Sequence, residues 1–149
     1  MRAVADSLER AAMLTLHNVL RLASEYFRPR ARPVEELSIE EARLRLEQQG
    51  ALVFDCNLAE DYARRHLPGA RHVGIDPPSR AQLPADRGAV LIFYCSARFC
   101  LSSHMAAREA VRLGYHRVCV MPDGIRSWAA AGFPLWRVEE AETADMAVS

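Results

Sequence analysis

The feature that most constrains the fold is an uninterrupted apolar run, Val90–Tyr94, that stops on Cys95. The length of the run and its β-branched and aromatic content predict a strand buried on both faces. A short polar loop follows it, and Ser102 and Ser103 are candidate caps for a helix that ends near Gly114. The sequence therefore predicts a cysteine between the carboxyl end of a buried strand and the amino end of a helix.

That position favours nucleophilic chemistry at Cys95. In open α/β sheets, ligands bind at the carboxyl ends of the strands. The free N–H groups and the dipole of a helix N-terminus favour an anion, and thiol pKa values fall there. We predict that Cys95 is a reactive nucleophile; the alternative is a free cysteine that packs as a small apolar residue.

Composition narrows the class of protein. The chain has 149 residues and 19 acidic residues against 19 basic ones, all of them arginine, so its net charge predicts neither nucleic acid nor an acidic membrane as a partner. It contains no CxxC pair and no apolar run of membrane-spanning length. We expect a cytoplasmic protein without metal or cofactor, in which four thiols are reduced: Cys56, Cys95, Cys100 and Cys119.

Residues 1–33 predict a helical extension and a linker. Apolar residues recur at helical spacing between residues 4 and 27, and the arginine- and proline-rich stretch 28–33 ends the pattern. Charges of both signs on this helix disfavour membrane anchoring. Packing on the following domain and formation of a homodimer through this helix remain open.

Residues 34–137 predict one α/β domain, and residues 138–149 an acidic, disordered tail. Strands and helices alternate along the domain, which is typical of a parallel sheet between helical layers. We expect a three-layer fold with about five strands, to which the N-terminal helix is added. The predicted strands lie at 51–55, 71–74, 90–94 and 117–121, and the helices run from Ser38 to near Gly50, from 58 to 65, from 102 to 113 and from 124 to 130.

Four segments in this order resemble the rhodanese-like domain family. They are the strand ending in Asp55 with its following helix, the turn His66–Ala70 (HLPGA), Phe93-Tyr94-Cys95, and a closing segment made of Leu113–Tyr115 and then Val120–Trp128. The resemblance implies a sulfurtransferase: Cys95 takes a sulfane sulfur from thiosulfate or a persulfide, holds it as a persulfide, and passes it to a thiol, a protein or another thiophilic acceptor. A covalent intermediate of this kind divides one transfer into two steps.

The resemblance also implies that the loop after Cys95 forms the substrate pocket. The predicted pocket residues are Ser96, Ala97, Arg98, Phe99, Cys100, Leu101 and Ser102. This loop departs from the family pattern, because Cys100 occupies its fifth place and no glycine lies in its middle. Since Arg98 is the loop's one cation, we expect weak activity with thiosulfate and better activity with a small or protein-borne persulfide.

Accessory roles and alternatives complete the prediction. Asp55 is expected to order loop hydrogen bonds, Ser103 to begin the helix, and His104 either to donate a proton near Cys95 or to face solvent. Cys100 is either a packed residue or a resolving thiol that closes a disulfide with Cys95. The rival functions are a non-catalytic or redox-sensing module and, less favoured, a phosphatase or arsenate reductase. A metal site at Cys95, Cys100 and His104 is disfavoured by its spacing.

Overall fold

The computed structural model describes residues 34–138 and, before them, Met13, Leu16, Val19 and Leu20. The chain separates into two compact units, residues 1–31 and 32–149, and the domain described here belongs to the second. Most of the predicted N-terminal helix, the linker and the tail from residue 139 onwards lie outside the described residues. The four described residues of that predicted helix are helical, and each is more than half exposed.

A sheet of five parallel strands forms the centre of the domain and confirms the predicted α/β fold. The strand order is β1-β6-β5-β2-β4, so β5, which precedes Cys95, is the central strand. A separate antiparallel ribbon pairs β3 with β7. The strands are β1 (Glu35–Glu36), β2 (Leu52–Asp55), β3 (Arg65–His66), β4 (Arg71–His72), β5 (Val90–Tyr94), β6 (Arg117–Met121) and β7 (Trp136–Arg137).

Four α-helices cover the described domain: α1 (Ile39–Gln49), α2 (Ala59–Arg64), α3 (Ser102–Arg112) and α4 (Gly124–Ala130). The capping box predicted at Ser38 is present. Its hydroxyl accepts from the Glu41 N–H, and the Glu41 carboxylate accepts from the Ser38 N–H. Gly50 ends α1 in the left-handed conformation, as its position in the sequence predicts. Among these described residues, no helix is long and apolar enough to cross a membrane.

Both faces of β5 are covered, which is why its sequence is continuously apolar. Leu91 and Phe93 pack on one face with the small side chains of α3. Ile92 and Tyr94 pack on the other face with residues from α1 and α4. Alternate residues of this strand therefore belong to two separate cores. The three predicted layers are α3 on one face, the sheet, and α1 with α4 on the other face.

The start of α3 differs from the expectation that Ser102 or Ser103 caps it. The residue before the first helical turn is Leu101, which makes no side-chain capping bond. Ser102 is already helical and donates its hydroxyl to the Cys56 carbonyl at 2.9 Å, so this hydroxyl ties α3 to the end of β2. Ser103 is the second residue of α3 and is buried, with 2% of its surface exposed.

Candidate active site

Cys95 lies directly after β5, and α4 holds the backbone that leads from Cys95 into the loop. The Ile125 N–H donates to the Cys95 carbonyl at 3.0 Å, and the Arg126 N–H donates to the Ser96 carbonyl at 3.1 Å. These N–H groups belong to the first turn of α4, where no partner within the helix exists for them. These bonds fix the start of the loop, at Cys95 and Ser96, to the N-terminus of α4.

Gly124 is the residue that permits this approach. Its φ of +69° lies in the left-handed region, and a Cβ at this position would stand 2.6 Å from the Cys95 carbonyl oxygen and 2.7 Å from the Ser96 carbonyl. The obstructing atoms are backbone atoms, which cannot rotate away. Glycine is therefore required here both for conformation and for space.

Cys95 and Cys100 are joined by a disulfide, with their Cα atoms 6.3 Å apart. The expectation of four reduced thiols therefore holds for Cys56 and Cys119 and is wrong for this pair. A turn in which the Cys100 N–H donates to the Ala97 carbonyl brings the second sulfur back towards the first. Cys95 is 2% exposed in this form.

The two remaining cysteines are buried and poorly suited to nucleophilic chemistry. Burial raises the pKa of the Cys119 thiol to about 11, and the neighbouring Glu35 carboxylate adds to the effect. Burial also raises the pKa of the Cys56 thiol far above the usual range, with a further contribution from Asp55. Both thiols are protonated at neutral pH, so neither competes with the loop cysteines.

Asp55 organises the hydrogen bonds of the chain beside the loop. One of its carboxylate oxygens accepts from the Asn57 N–H at 2.8 Å and from the Asn57 side-chain amide at 2.9 Å. The other accepts from the Tyr94 hydroxyl, which in turn accepts from the Leu67 N–H at 3.1 Å. Burial and then the Asp55 charge raise the pKa of Tyr94, so its hydroxyl remains a donor. The buried network joins the ends of β2 and β5.

An open cavity of about 480 Å³ lies beside this network. Ser96, which follows the candidate nucleophile, forms part of its wall, and so does Asn57. Four of the other wall residues are arginines and one is an acid, which makes the cavity locally positive. The complete wall is Asn57, Asp61, Arg64, Arg65, Ser96, Ile125, Arg126, Arg137 and Val138.

The β3–β7 ribbon concentrates positive charge in this wall. Arg65 and Arg137 are directly paired across its two strands. Like charges in such a pair destabilise a ribbon, and within the described residues no carboxylate lies within 4.0 Å of the guanidinium groups of these two arginines. An anion in the cavity would relieve that repulsion. Sequence analysis missed these arginines because their strands have two residues each; the Arg64-Arg65 dipeptide was the available signal.

The predicted loop contributes one residue, Ser96, to this cavity. Phe99 is 96% exposed and Leu101 is 69% exposed, so both side chains face solvent. Arg98 is also exposed and lies 3.2 Å from the Asp123 carboxylate, which partly neutralises it. The backbone of this loop surrounds the cysteine pair, while the charge that faces the cavity comes from α2, α4 and the β3–β7 ribbon.

The His104 ring contacts a residue of β1, and no contact with Cys95 is observed. Its Nε2 lies 3.2 Å from the Glu36 carboxylate, on edge strand β1. This contact joins the first turn of α3 to the edge strand β1, whereas β2 and β4 lie on the other side of the central strand β5. His104 therefore serves α3 packing in this structure, and a catalytic role for it has no geometric support.

The fold and the site together define a parallel α/β domain with a cysteine at the carboxyl end of its central strand. The chain belongs to the rhodanese-like domain family, because the sequence pattern of that family matches residues 38–131, which is most of the domain. Among curated protein sequences, no significant match was found.

Solved structures support the same fold. The rhodanese-like domain of an Anabaena protein superposes with a TM-score of 0.60 at 20% identity, covering 70% of this chain and 80% of that one. A thiosulfate sulfurtransferase from Pseudomonas aeruginosa gives 0.57 at 22% identity, covering 71% of this chain and 21% of that longer one. A Rhodopseudomonas palustris protein described as a possible tyrosine phosphatase gives 0.55 at 24% identity, covering 69% and 85%.

Proposed function

We propose that this protein is a sulfurtransferase in which Cys95 carries the sulfur. The Cys95 thiolate attacks the outer sulfur of thiosulfate, the S–S bond of thiosulfate breaks, and sulfite leaves with the electron pair. The enzyme then holds a persulfide. In the second step an acceptor thiolate attacks the outer sulfur of that persulfide, and the Cys95 thiolate is the leaving group.

The observation that carries the proposal is the position of Cys95. It follows the central strand of a rhodanese-like sheet, it lies near the N-terminus of α3, and the residue after it opens onto an arginine-lined cavity. Sulfane donors and the persulfide itself are anions. The four guanidinium groups of this open cavity supply positive charge for such anions, and each can bind two donor oxygens at once.

The same cavity revises the expected donor. The prediction of weak thiosulfate activity assumed that Arg98 was the one available cation, whereas Arg64, Arg65, Arg126 and Arg137 supply charge from outside the loop. The cavity volume of about 480 Å³ lies in the range of pockets that hold small organic molecules. We therefore propose anionic donors, with an organic persulfide that carries two carboxylates, such as glutathione persulfide, preferred to thiosulfate.

Steady-state kinetics with thiosulfate and with glutathione persulfide test this proposal, with a dithiol as acceptor. Cys95→Ser should abolish transfer from both donors. Arg126→Ala should lower kcat/KM by roughly tenfold, since loss of one charge-assisted contact costs about 1.5 kcal/mol or more. Arg108→Ala is the matched control, because Arg108 is exposed on α3 and does not line the cavity. Unchanged kinetics in Arg126→Ala would overturn the anionic cavity, and turnover in Cys95→Ser would overturn the nucleophile.

A second candidate function is redox sensing, and the Cys95–Cys100 disulfide is the observation that favours it. A sensor would close this bond on oxidation without any sulfur donor. Titration with hydrogen peroxide tests that function: rapid loss of two hydrogens from the reduced protein, together with no turnover of either donor, would favour the sensor over the enzyme.

We do not propose a phosphatase or an arsenate reductase. Those activities depend on an arginine that clamps the oxyanion at the end of the loop. Here the loop ends Leu101-Ser102, and Arg98 is held by Asp123.

A further inference from the structure

We propose that Cys100 is a second catalytic residue, which resolves the Cys95 persulfide and releases the transferred sulfur as hydrogen sulfide. This inference rests on the proposed function, because it begins from the persulfide at Cys95. It adds a reaction beyond transfer to an external acceptor. It also assigns a role to the residue by which the loop departs most from the family pattern.

The first argument is proximity. The two sulfurs are bonded in the structure, and the Cα separation of 6.3 Å is ordinary for a disulfide. The closed loop contains four intervening residues, and its turn is held by the hydrogen bond from Cys100 N–H to the Ala97 carbonyl at 3.0 Å. The backbone thus brings the Cys100 sulfur to the Cys95 sulfur, which is the atom that a resolving thiolate must attack.

The second argument concerns how the Cys100 thiol is held. The Cys100 sulfur lies 3.2 Å from the Ser102 hydroxyl oxygen, while that hydroxyl donates its own proton to the Cys56 carbonyl at 2.9 Å. Once the disulfide is reduced, the Cys100 S–H can donate to the same oxygen. This bond holds the thiol beside Cys95, while the position next to the N-terminus of α3, a helix of 11 residues, favours the thiolate that attacks.

The resolving step balances in atoms and electrons. The Cys100 thiolate attacks the Cys95 Sγ, a bond forms between the two protein sulfurs, and the bond from Cys95 Sγ to the outer sulfur breaks. The proton that the Cys100 thiol gives up passes to the outer sulfur, which leaves with the electron pair as hydrosulfide, and the product is the disulfide seen in the structure. An added dithiol reductant then attacks the disulfide, is itself oxidised, and returns both cysteines to thiols.

The other two cysteines provide the comparison that the test needs. Cys56 and Cys119 are buried and protonated, and neither is paired in the described structure. Cys119→Ala therefore removes a thiol without touching the loop pair, and it is the matched control for Cys100→Ser. Cys100→Ala serves as a second variant if the serine protein does not fold.

The experiment is a single turnover of the full-length protein, reduced, freed of reductant, and mixed with one equivalent of thiosulfate. Wild type and Cys119→Ala should release about one equivalent of sulfide and end two hydrogens lighter than the reduced chain. Cys100→Ser should gain one sulfur atom and release sulfide at a rate roughly tenfold or more lower, a barrier difference of at least about 1.4 kcal/mol.

Two results would overturn the inference, and they are distinguishable. Retention of the sulfur by the wild-type protein, without release of sulfide, would show that Cys100 does not resolve the persulfide while Cys95 still forms it. No added sulfur in either Cys100 variant, together with no release of sulfide by the wild type, would overturn the proposed function, and the resolving step with it.

Discussion

Asp55 and Tyr94 show how single residues set the geometry of the site. Their side chains are buried between β2 and β5, and every oxygen that they place there has a hydrogen-bond partner. The Asp55 carboxylate fixes Asn57, which lies in the cavity wall. A polar network of this kind is stabilising only while each member is satisfied.

We predict that Tyr94→Phe destabilises the domain by about 1–3 kcal/mol, because it leaves the Leu67 N–H and one Asp55 oxygen buried without a partner. Urea unfolding measures this free energy. Tyr62→Phe is the control: its hydroxyl donates to the Ala70 carbonyl at a partly buried site, where water can replace it, so the loss should be smaller. Equal stability of Tyr94→Phe and wild type would contradict the network.

The cysteines should differ sharply in alkylation after the disulfide is reduced. Cys119, with a pKa of about 11, and Cys56, with a pKa raised further, are protonated and slow near neutral pH, whereas Cys95 should react first. Because the folded state raises the Cys119 pKa, folding favours the protonated thiol, and this contribution to stability is lost as pH rises towards 11. Peptide mass mapping over a pH series measures each rate; faster labelling of Cys119 than of Cys95 at neutral pH would contradict the assignment.

Among the elements, α4 has the most direct influence on the candidate nucleophile. Its first N–H groups hold the carbonyls of Cys95 and Ser96, and its first residue, Gly124, brings the helix against that backbone. The helix has seven residues and buries Ile125 and Trp128 in the core, so it is anchored at the same time as it anchors the loop.

We predict that Gly124→Ala lowers both the free energy of unfolding and the rate of sulfur transfer, because a Cβ would collide with two backbone carbonyls and force the loop to shift. Gly132→Ala is the matched control: its φ is +74°, yet its added Cβ would meet nothing within 4 Å. Thermal unfolding and transfer assays on both variants separate strain from collision. Similar effects in the two would mean that the left-handed backbone alone, and not the contact with Cys95, matters.

The sequence predicts those elements that carry a long hydrophobic pattern. β5 and β6, the capping box of α1 and the closing helix α4 all lie where their residues indicate. β1, β3 and β7 have two residues each, too few to show a period, and they depend on partners distant in sequence. The group of arginines in the cavity wall could not be predicted for the same reason, since Arg65 and Arg137 are brought together by the pairing of β3 with β7. The disulfide was foreseen only as an alternative, because spacing alone does not bring two sulfurs together.

At the scale of the whole molecule, charge is balanced overall and uneven locally. The chain has 19 basic and 19 acidic residues, yet the cavity wall holds four arginines against Asp61. A molecule without net charge exerts little attraction at long range. Selection of an anionic donor must therefore occur at the cavity itself.

We predict that rising salt concentration increases KM for thiosulfate several-fold and leaves kcat nearly unchanged, because mobile ions screen exposed guanidinium groups but not the chemistry at Cys95. Initial rates across a sodium chloride series measure both constants. In Arg126→Ala the dependence on salt should be weaker. A KM that does not respond to salt in the wild type would contradict electrostatic recognition of the donor.

Mass spectrometry of the Cys100→Ser protein tests whether Cys95 accepts a sulfane sulfur, because this variant should retain the intermediate. After reaction with thiosulfate and removal of excess donor, the intact chain should gain one sulfur atom, which peptide mapping should locate at Cys95 and which a thiol should remove. Cys95→Ser should gain none. Sulfur located at Cys56 or Cys119, or an unchanged mass after reaction with thiosulfate, would show that Cys95 is not the sulfur carrier.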